Sequence, residues 1–388
     1  MKRRIKMMLY KSICAFFAFL FMIDNSAKGA VMDAATNQSV SLMYEWLIGT
    51  QLSNGALPVY GDDTGNISII PYFSSITALA ILEYSSDPES IDTAKKYLDW
   101  HLERINTKEG DDFSTIYDYG AIVEKGEVID EFSRWKYDSA DSYAAMFLAA
   151  LWKYVEKTGD TQYILDNSEK VKNIIDLQLS LIDESGLSSV SNKNKTKYLM
   201  DNCEVTLGLF SANKILGAAF LKEHKFLSKE YWNILKQMTD LKKARRKMIN
   251  AIDELLWNNE NKIYEIGINS NGEVIKFLDY DDFYPDAVAQ IFPIVFGLIS
   301  PLSPKAKLIY SKFSAAHKWE ELSHYKEDKT SFYWGVGAYC GAIMGDTEKV
   351  NRYIANFMEL AMPDFGYPVY NAEVAWIVLA VRHIEKVE

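Results

Sequence analysis

Cysteine is nearly missing from this chain, with three in 388 residues. Cys14 falls in the N-terminal stretch, which leaves Cys203 and Cys340 as small apolar residues in helical surroundings. They offer neither metal-binding spacing nor a disulfide framework. Histidine is scarce too, at five (His101, His224, His317, His324, His383). There is no Gly-rich phosphate loop, zinc pattern or serine-nucleophile elbow. Nucleotide, zinc and serine-hydrolase chemistries therefore have no foothold, and no cofactor or metal is implied. Disorder is excluded as well: 48% of the residues are apolar, ample for a core.

Net positive charge is also absent outside the first 30 residues. Those carry six Lys/Arg (Lys2, Arg3, Arg4, Lys6, Lys11, Lys28) against Asp24; without this +5 the formal charge of the remainder moves from −11 to −16. Such a surface repels nucleic acid and anionic membranes. The one basic run, residues 242–247 (KKARRK), sits in a helical stretch and reads as a solvated face. Residues 1–30 read as an export segment: a basic start, an apolar run at 13–23 (ICAFFAFLFMI) too short for an ordinary span, and a small-x-small site at Ala27-Lys28-Gly29. Export to the periplasm or medium follows, or anchoring if the segment stays uncleaved. No later run looks apolar enough to cross a membrane. The expected organisation is an export segment over 1–30 and a single domain over 31–388.

What is present is helical periodicity. Apolar spacing predicts twelve helices near 37–50, 71–85, 88–105, 139–157, 160–182, 201–222, 228–258, 285–300, 303–317, 331–344, 346–362 and 371–386. Connections after the even-numbered helices are short turns, two of them containing Gly-Asp (Gly159-Asp160, Gly345-Asp346): glycine suits the left-handed position that closes a helix, and aspartate caps the next. Connections after the odd-numbered helices are long. Short turns join antiparallel neighbours, so the pattern gives six hairpins with their long loops on one face. The even helices are apolar or small on most sides, and the odd ones carry the charge, as an inner and an outer ring require. The expected fold is all-α, an (α/α)6 toroid of six helical hairpins, with room for β-hairpins in the long loops. An irregular bundle or a helix-pair solenoid is the competing architecture. Cys203 and Cys340 then lie on inner helices that are not ring neighbours, too far apart to bridge.

The hairpin rhythm, with residues 137–148 (YDSADSYAAMFL), 198–204 (YLMDNCE), 256–264 (LWNNENKIY) and 284–298 (YPDAVAQIFPIVFGL), resembles the six-hairpin glycosidase superfamily over roughly residues 37–386. In such a ring the inner helices run parallel and their N-termini meet at the long-loop face.

Here those N-termini are acidic: Asp138 and Asp141 open the fourth helix, Asp201 and Glu204 the sixth, and Asp281, Asp282 and Asp286 the eighth. Glycosidic hydrolysis needs an acid for the leaving oxygen and a base or nucleophile on the other side of the sugar. Helix N-termini favour acids in any case. Asp201-x-x-Glu204 fits a capping box, Asp138 fits an N-cap, and Asp286 after Pro285 fits a dipole partner. Asp141 is harder to explain by structure alone, since it lies on the inward stripe with Ala144, Leu148 and Leu151. Gln290 continues a polar line from Asp286. Asp141 and Asp286 are the expected catalytic pair. Asp138, Glu204, Asp282, Tyr72, Trp135, Tyr137, Tyr284, Trp334 and Tyr370 are the expected sugar contacts, with Tyr143, Tyr280, Tyr333 and Tyr367 nearby. Aromatic faces suit sugar rings as well as cores.

Asp141 and the Asp286-Ala287 step also resemble acidic positions of the family 8 endoglucanases. That family keeps a Glu general acid on its first inner helix, and residues 70–79 (IPYFSSITAL) hold no carboxylate. Either another residue supplies the acid, with Asp62 and Asp63 as candidates, or the chain binds glycan without cutting it. The expectation is an exported glycoside hydrolase of poly- or oligosaccharides, inverting, with a non-catalytic glycan-binding or polysaccharide-assembly protein as the alternative and a polysaccharide lyase as a distant third. The lyases of this architecture use Tyr with His or Asn, and the five histidines avoid the motif segments.

Overall fold

The computed structural model describes residues 34–61, 64–224, 226, 228–327, 334–363, 365–366 and 369–387. Among them, twelve helices have eight residues or more: α1 (Ala34–Gly49), α2 (Pro71–Tyr84), α3 (Pro88–Glu103), α4 (Ala140–Thr158), α5 (Ser168–Ser180), α6 (Leu199–Ile215), α7 (Lys229–Ala251), α8 (Val288–Val295), α9 (Pro304–Ala316), α10 (Trp334–Ile343), α11 (Thr347–Ala361) and α12 (Asn371–Val387). The even helices pack in a closed order, α2 on α4, then α6, α8, α10, α12 and back to α2. The odd helices cover the seams from outside: α1 on α12 and α2, α3 on α2 and α4, α5 on α4 and α6, α11 on α10 and α12. This is the expected all-α (α/α)6 barrel.

The two rings differ as their sequences do. Fourteen of the nineteen residues of α4 are buried, whereas α7 buries four of twenty-three; in the basic run at 242–247, Lys242, Lys243, Arg246 and Lys247 are exposed, while Arg245 donates to Thr206 O of α6 at 3.1 Å. Inner helices approach closely where a side chain is missing: a Cβ on Gly208 of α6 would lie 2.6 Å from the Ala145 Cα of α4. Lys153 of α4 pairs with Glu83 of α2 at 2.5 Å, and Lys386 of α12 reaches the same carboxylate. Burial raises the Glu83 pKa, but Lys153 beside it lowers it further, so the group sits below its ordinary value. The ring also closes through Asn371, whose N–H donates to Val59 O and whose side-chain amide donates to Thr50, each at 2.8 Å.

Both Gly-Asp turns adopt the expected left-handed glycine, φ 71° at Gly159 and 78° at Gly345. Asp160 caps its helix through Tyr163 N at 3.0 Å; Asp346 instead accepts from Tyr310 Oη at 2.8 Å. The eighth helix is shorter than expected. It begins in a π-turn (Phe283–Ala287) and ends at Val295, because Pro293 lacks an N–H and Gly297 turns left-handed at φ 69°. The stretch expected at 160–182 breaks at Asn167, and the one at 228–258 leaves the helix after Leu256 for a short strand. The segment Leu199–Glu223 is long and apolar enough to cross a membrane, contrary to expectation. Its apolarity serves the ring, since α6 packs on α4, α7 and α8.

The long loops carry strands. β1 (Gly65–Ile69), β2 (Tyr119–Glu124) and β3 (Glu127–Ser133) form an antiparallel sheet in the order β1-β2-β3, with a Lys125-Gly126 hairpin turn. Lys197–Tyr198, just before α6, pairs with Gly267–Ile268 of a later loop. Cys203 and Cys340 are buried free thiols. His101, His317 and His324 are buried; His101 stacks on Phe147 at 3.9 Å, and burial lowers its pKa to about 3.

Candidate active-site cleft

A cleft of about 370 Å³ opens at the long-loop mouth of the inner ring. Its wall is built from the starts of α2 (Tyr72, Phe73), α4 (Ser139, Ser142, Tyr143) and α6 (Met200, Asp201, Glu204), and from loop residues Val59, Tyr60, Asp118, Asp138, Tyr284 and Tyr370. Parallel inner helices place their N-termini together, which is why side chains distant in sequence converge here. Among the described residues, four carboxyls line the cleft: Asp118, Asp138, Asp201 and Glu204.

Glu204, on the second turn of α6, is 2% exposed and accepts a hydrogen bond from the Tyr72 hydroxyl of α2. Burial pushes its pKa up to about 8; the nearby Ser142 hydroxyl and the hydrogen bond from Tyr72 oppose the rise, and Asp141 and Asp138 add to it. Asp201 is held well above the carboxylate range by burial, then by the negative charge of Asp141 and Glu204. Behind the wall, Asp141 is fully buried, and burial lifts it to about 6 against the hydrogen bond from Ser139. Ser139 Oγ lies 2.6 Å from Asp141 Oδ1 and 2.9 Å from Asp201 Oδ2. One hydroxyl proton cannot serve both contacts, so one of the two carboxyls holds a proton of its own. Asp118 accepts from Tyr143 Oη at 2.8 Å, and burial raises its pKa despite that bond. Asp138 is exposed to solvent at the rim. The arrangement sets a buried carboxyl with a raised pKa and a solvent-exposed one in the same cleft, the contrast in environment that separates an acid from a base.

The expected residues distribute as follows. Asp138, Glu204, Tyr72, Tyr284 and Tyr370 line this cleft, as does Tyr143. Trp135 and Tyr137 line a second hollow that shares Asp138 with it. Asp141 sits behind the wall rather than in it. Asp286 lines neither: its Oδ1 accepts from Leu278 N at 2.6 Å, and burial raises its pKa. Asp282 is exposed just before the π-turn, outside both hollows. Gln290 clamps the Tyr264 backbone, accepting from its N–H at 2.7 Å and donating to its carbonyl at 2.8 Å, so the polar line it continues ends in a strand. Asp62, Asp63, Tyr333, Tyr367 and the Trp334 side chain lie outside the described residues. The capping readings of α4 and α6 give way: their N-caps are Ser139 and Tyr198, neither making a side-chain cap bond, because Asp201 and Glu204 turn to Ser139 and Tyr72 instead. Asp118 was not foreseen. It sits between Tyr117 and Tyr119 where β2 begins, and only pairing across the β-sheet brings that loop to the ring mouth.

No protein-family profile matches the sequence, and no curated protein matches it. Solved structures do share the fold. A glycosidase variant superposes with a TM-score of 0.58 at 11% identity, over 91% of this chain and 99% of its own. The GH76A α-1,6-mannanase of Salegentibacter sp. HEL1_6 gives 0.53 at 10% identity, over 91% and 100%. An α-amylase from Clostridium perfringens gives 0.52 at 12%, over 91% and 99%. The chain therefore has the six-hairpin (α/α)6 architecture found among glycosidases, over nearly its whole described length.

Proposed function

We propose that the chain is an exported glycoside hydrolase that cuts a poly- or oligosaccharide across this cleft. The observation that carries the reading is Glu204: a carboxyl on the cleft wall, 2% exposed and bonded by Tyr72, whose burial raises its pKa to about 8. Glu204 donates its proton to the leaving glycosidic oxygen. Asp138, at the wet rim of the neighbouring inner helix, takes a proton from the attacking water, so the anomeric configuration inverts. Asp118 and Asp201 bind sugar hydroxyls, and Tyr72, Tyr284 and Tyr370 supply ring faces. The catalytic roles thus move from Asp141 and Asp286 to Glu204 and Asp138, and Asp141 becomes a buried neighbour that helps keep Glu204 protonated. The first inner helix, which lacks a carboxylate, contributes Tyr72 as the hydroxyl that orients the acid. A mannanase of this fold, in an inactive double-aspartate variant, is solved with α-1,6-mannotetrose, which supports an oligosaccharide as occupant.

A crystal of the Glu204→Gln protein with a bound oligosaccharide tests the assignment. A glycosidic oxygen within about 3.2 Å of the residue 204 side chain is expected. Sugar in the cleft with every glycosidic oxygen remote from position 204 would favour the non-catalytic binding reading. Residues 1–30 are assigned to export and 31–388 to the folded domain. A chain starting at Val31 should keep the helical circular dichroism of the mature protein; aggregation rescued by restoring 1–30 would contradict that boundary.

A further inference from the structure

Trp135 is the most exposed large aromatic among the described residues, at 78% of its surface, and it stands on strained backbone with φ 53°. A bulky residue is rare in that left-handed region, and the position would suit glycine better. The cause lies in the strand pairing. Arg134 N–H donates to Asp118 O at 2.8 Å and Asp118 N–H donates to Lys136 O at 2.7 Å. Asp118 is therefore opposed by three residues, and the middle one, Trp135, is extruded as a bulge, a device that re-aims a side chain. The same bulge sets Asp118 into the cleft wall and the Trp135 indole into a hollow of about 270 Å³ beside it.

That hollow has a built floor. Tyr117 and Tyr137 stack with ring centres 5.9 Å apart, and the Trp135 ring lies 5.6 Å from Tyr117. Asp112 pins both tyrosines, accepting from Tyr117 Oη at 3.0 Å and Tyr137 Oη at 2.8 Å, with Lys193 on the same carboxylate at 2.6 Å. The lining charges, Lys136 and Lys193 against Asp112 and Asp138, cancel in a chain that is otherwise strongly acidic. Asp138 lines both hollows, so the two are adjacent.

We infer that the Trp135–Tyr117–Tyr137 hollow is a distal subsite that holds one neutral pyranose unit of the glycan whose scissile bond lies in the main cleft. This rests on the proposed function above and extends it: the enzyme selects chains long enough to span both hollows. The indole face packs on the apolar face of the sugar ring, and the Asp112 and Asn194 side chains meet its hydroxyls.

Calorimetry on the Glu204→Gln protein, which leaves ligands uncut, tests this with α-1,6-manno-, cello- and chito-oligosaccharides of two to six units. For the series that binds, affinity should rise with length, and adding Trp135→Ala should weaken the longest member about tenfold while leaving the disaccharide within about twofold. Circular dichroism should stay unchanged, because the indole supports no core. Equal affinity for the longest member, or an equal loss at every length, would overturn the subsite. So would a parent protein that binds none of the three series. Failure of the hydrolase reading looks different: the length-dependent loss persists although the wild type releases no reducing ends.

Discussion

Glu204→Gln keeps the side-chain shape and the acceptor that Tyr72 bonds, and it removes only the ionisable proton. In the unfolded chain Glu204 titrates near 4.5; in the folded protein it titrates at about 8. Below pH 4.5 both states hold the proton, and the group does not bias folding. Between 4.5 and about 8 the unfolded chain ionises while the folded one stays neutral, so wild-type stability falls as pH rises. At about 1.4 kcal/mol per pH unit the full effect is on the order of 5 kcal/mol, an upper figure because neighbouring carboxyls share the proton. The Gln variant has no such dependence. Urea unfolding at pH 4, 6 and 8 should show a variant that matches the wild type at pH 4 and exceeds it by a few kcal/mol at pH 8. Turnover should meanwhile drop by about 10²–10⁴-fold, the share usual for a general acid. Wild-type activity should fall as pH rises through about 8, where the acid loses its proton. A variant less stable than wild type at pH 8, or a stability difference flat across pH, would refute the assignment of Glu204 as a buried neutral acid.

Asp138→Asn should reduce turnover at least about 100-fold while leaving the melting temperature unchanged, since Asp138 is exposed at the rim; a matched loss of both would mark it as structural. Glu83→Gln leaves Lys153 with Glu156 as its remaining carboxylate and takes the carboxylate from Lys386, and should cost about 1.5–3 kcal/mol at pH 7. Because the folded Glu83 pKa lies below 4.5, that cost should shrink as pH falls from 4.5 through the folded value, as chemical denaturation at pH 3 and pH 7 can read. Gly208→Ala forces a methyl between α6 and α4 and should destabilise by about 1–3 kcal/mol; a neutral outcome in thermal melts would show that the two helices have room to part.

The ring was legible because its cause is repetitive. Apolar residues recur at helical spacing, and charge falls on alternate helices, so Ala144, Leu148 and Leu151 announce an inner helix without reference to any partner. Asp141 was legible as a buried acid for the same reason. The division of roles was not. Asp201 and Glu204 match a capping box in sequence, and only the neighbouring α4 and α2 supply Ser139 and Tyr72 to draw them away from the helix end. Asp286 stands beside the expected ring mouth, yet the π-turn and the loop at Leu278 fold its carboxyl into a backbone contact. Asp118 and Trp135 depend on strand pairing across a long loop, and that pairing leaves no periodic trace in so short a segment.

Whether glycosidic bonds break is the decisive measurement for this protein. Purified wild-type protein, incubated with a panel of neutral and weakly charged oligo- and polysaccharides, should release reducing ends from at least one glycan. That release should vanish with Glu204→Gln and with Asp138→Asn while each variant still binds the glycan. A wild type that binds glycan, releases no reducing ends from any member of the panel and is matched in binding by both variants would contradict the hydrolase account.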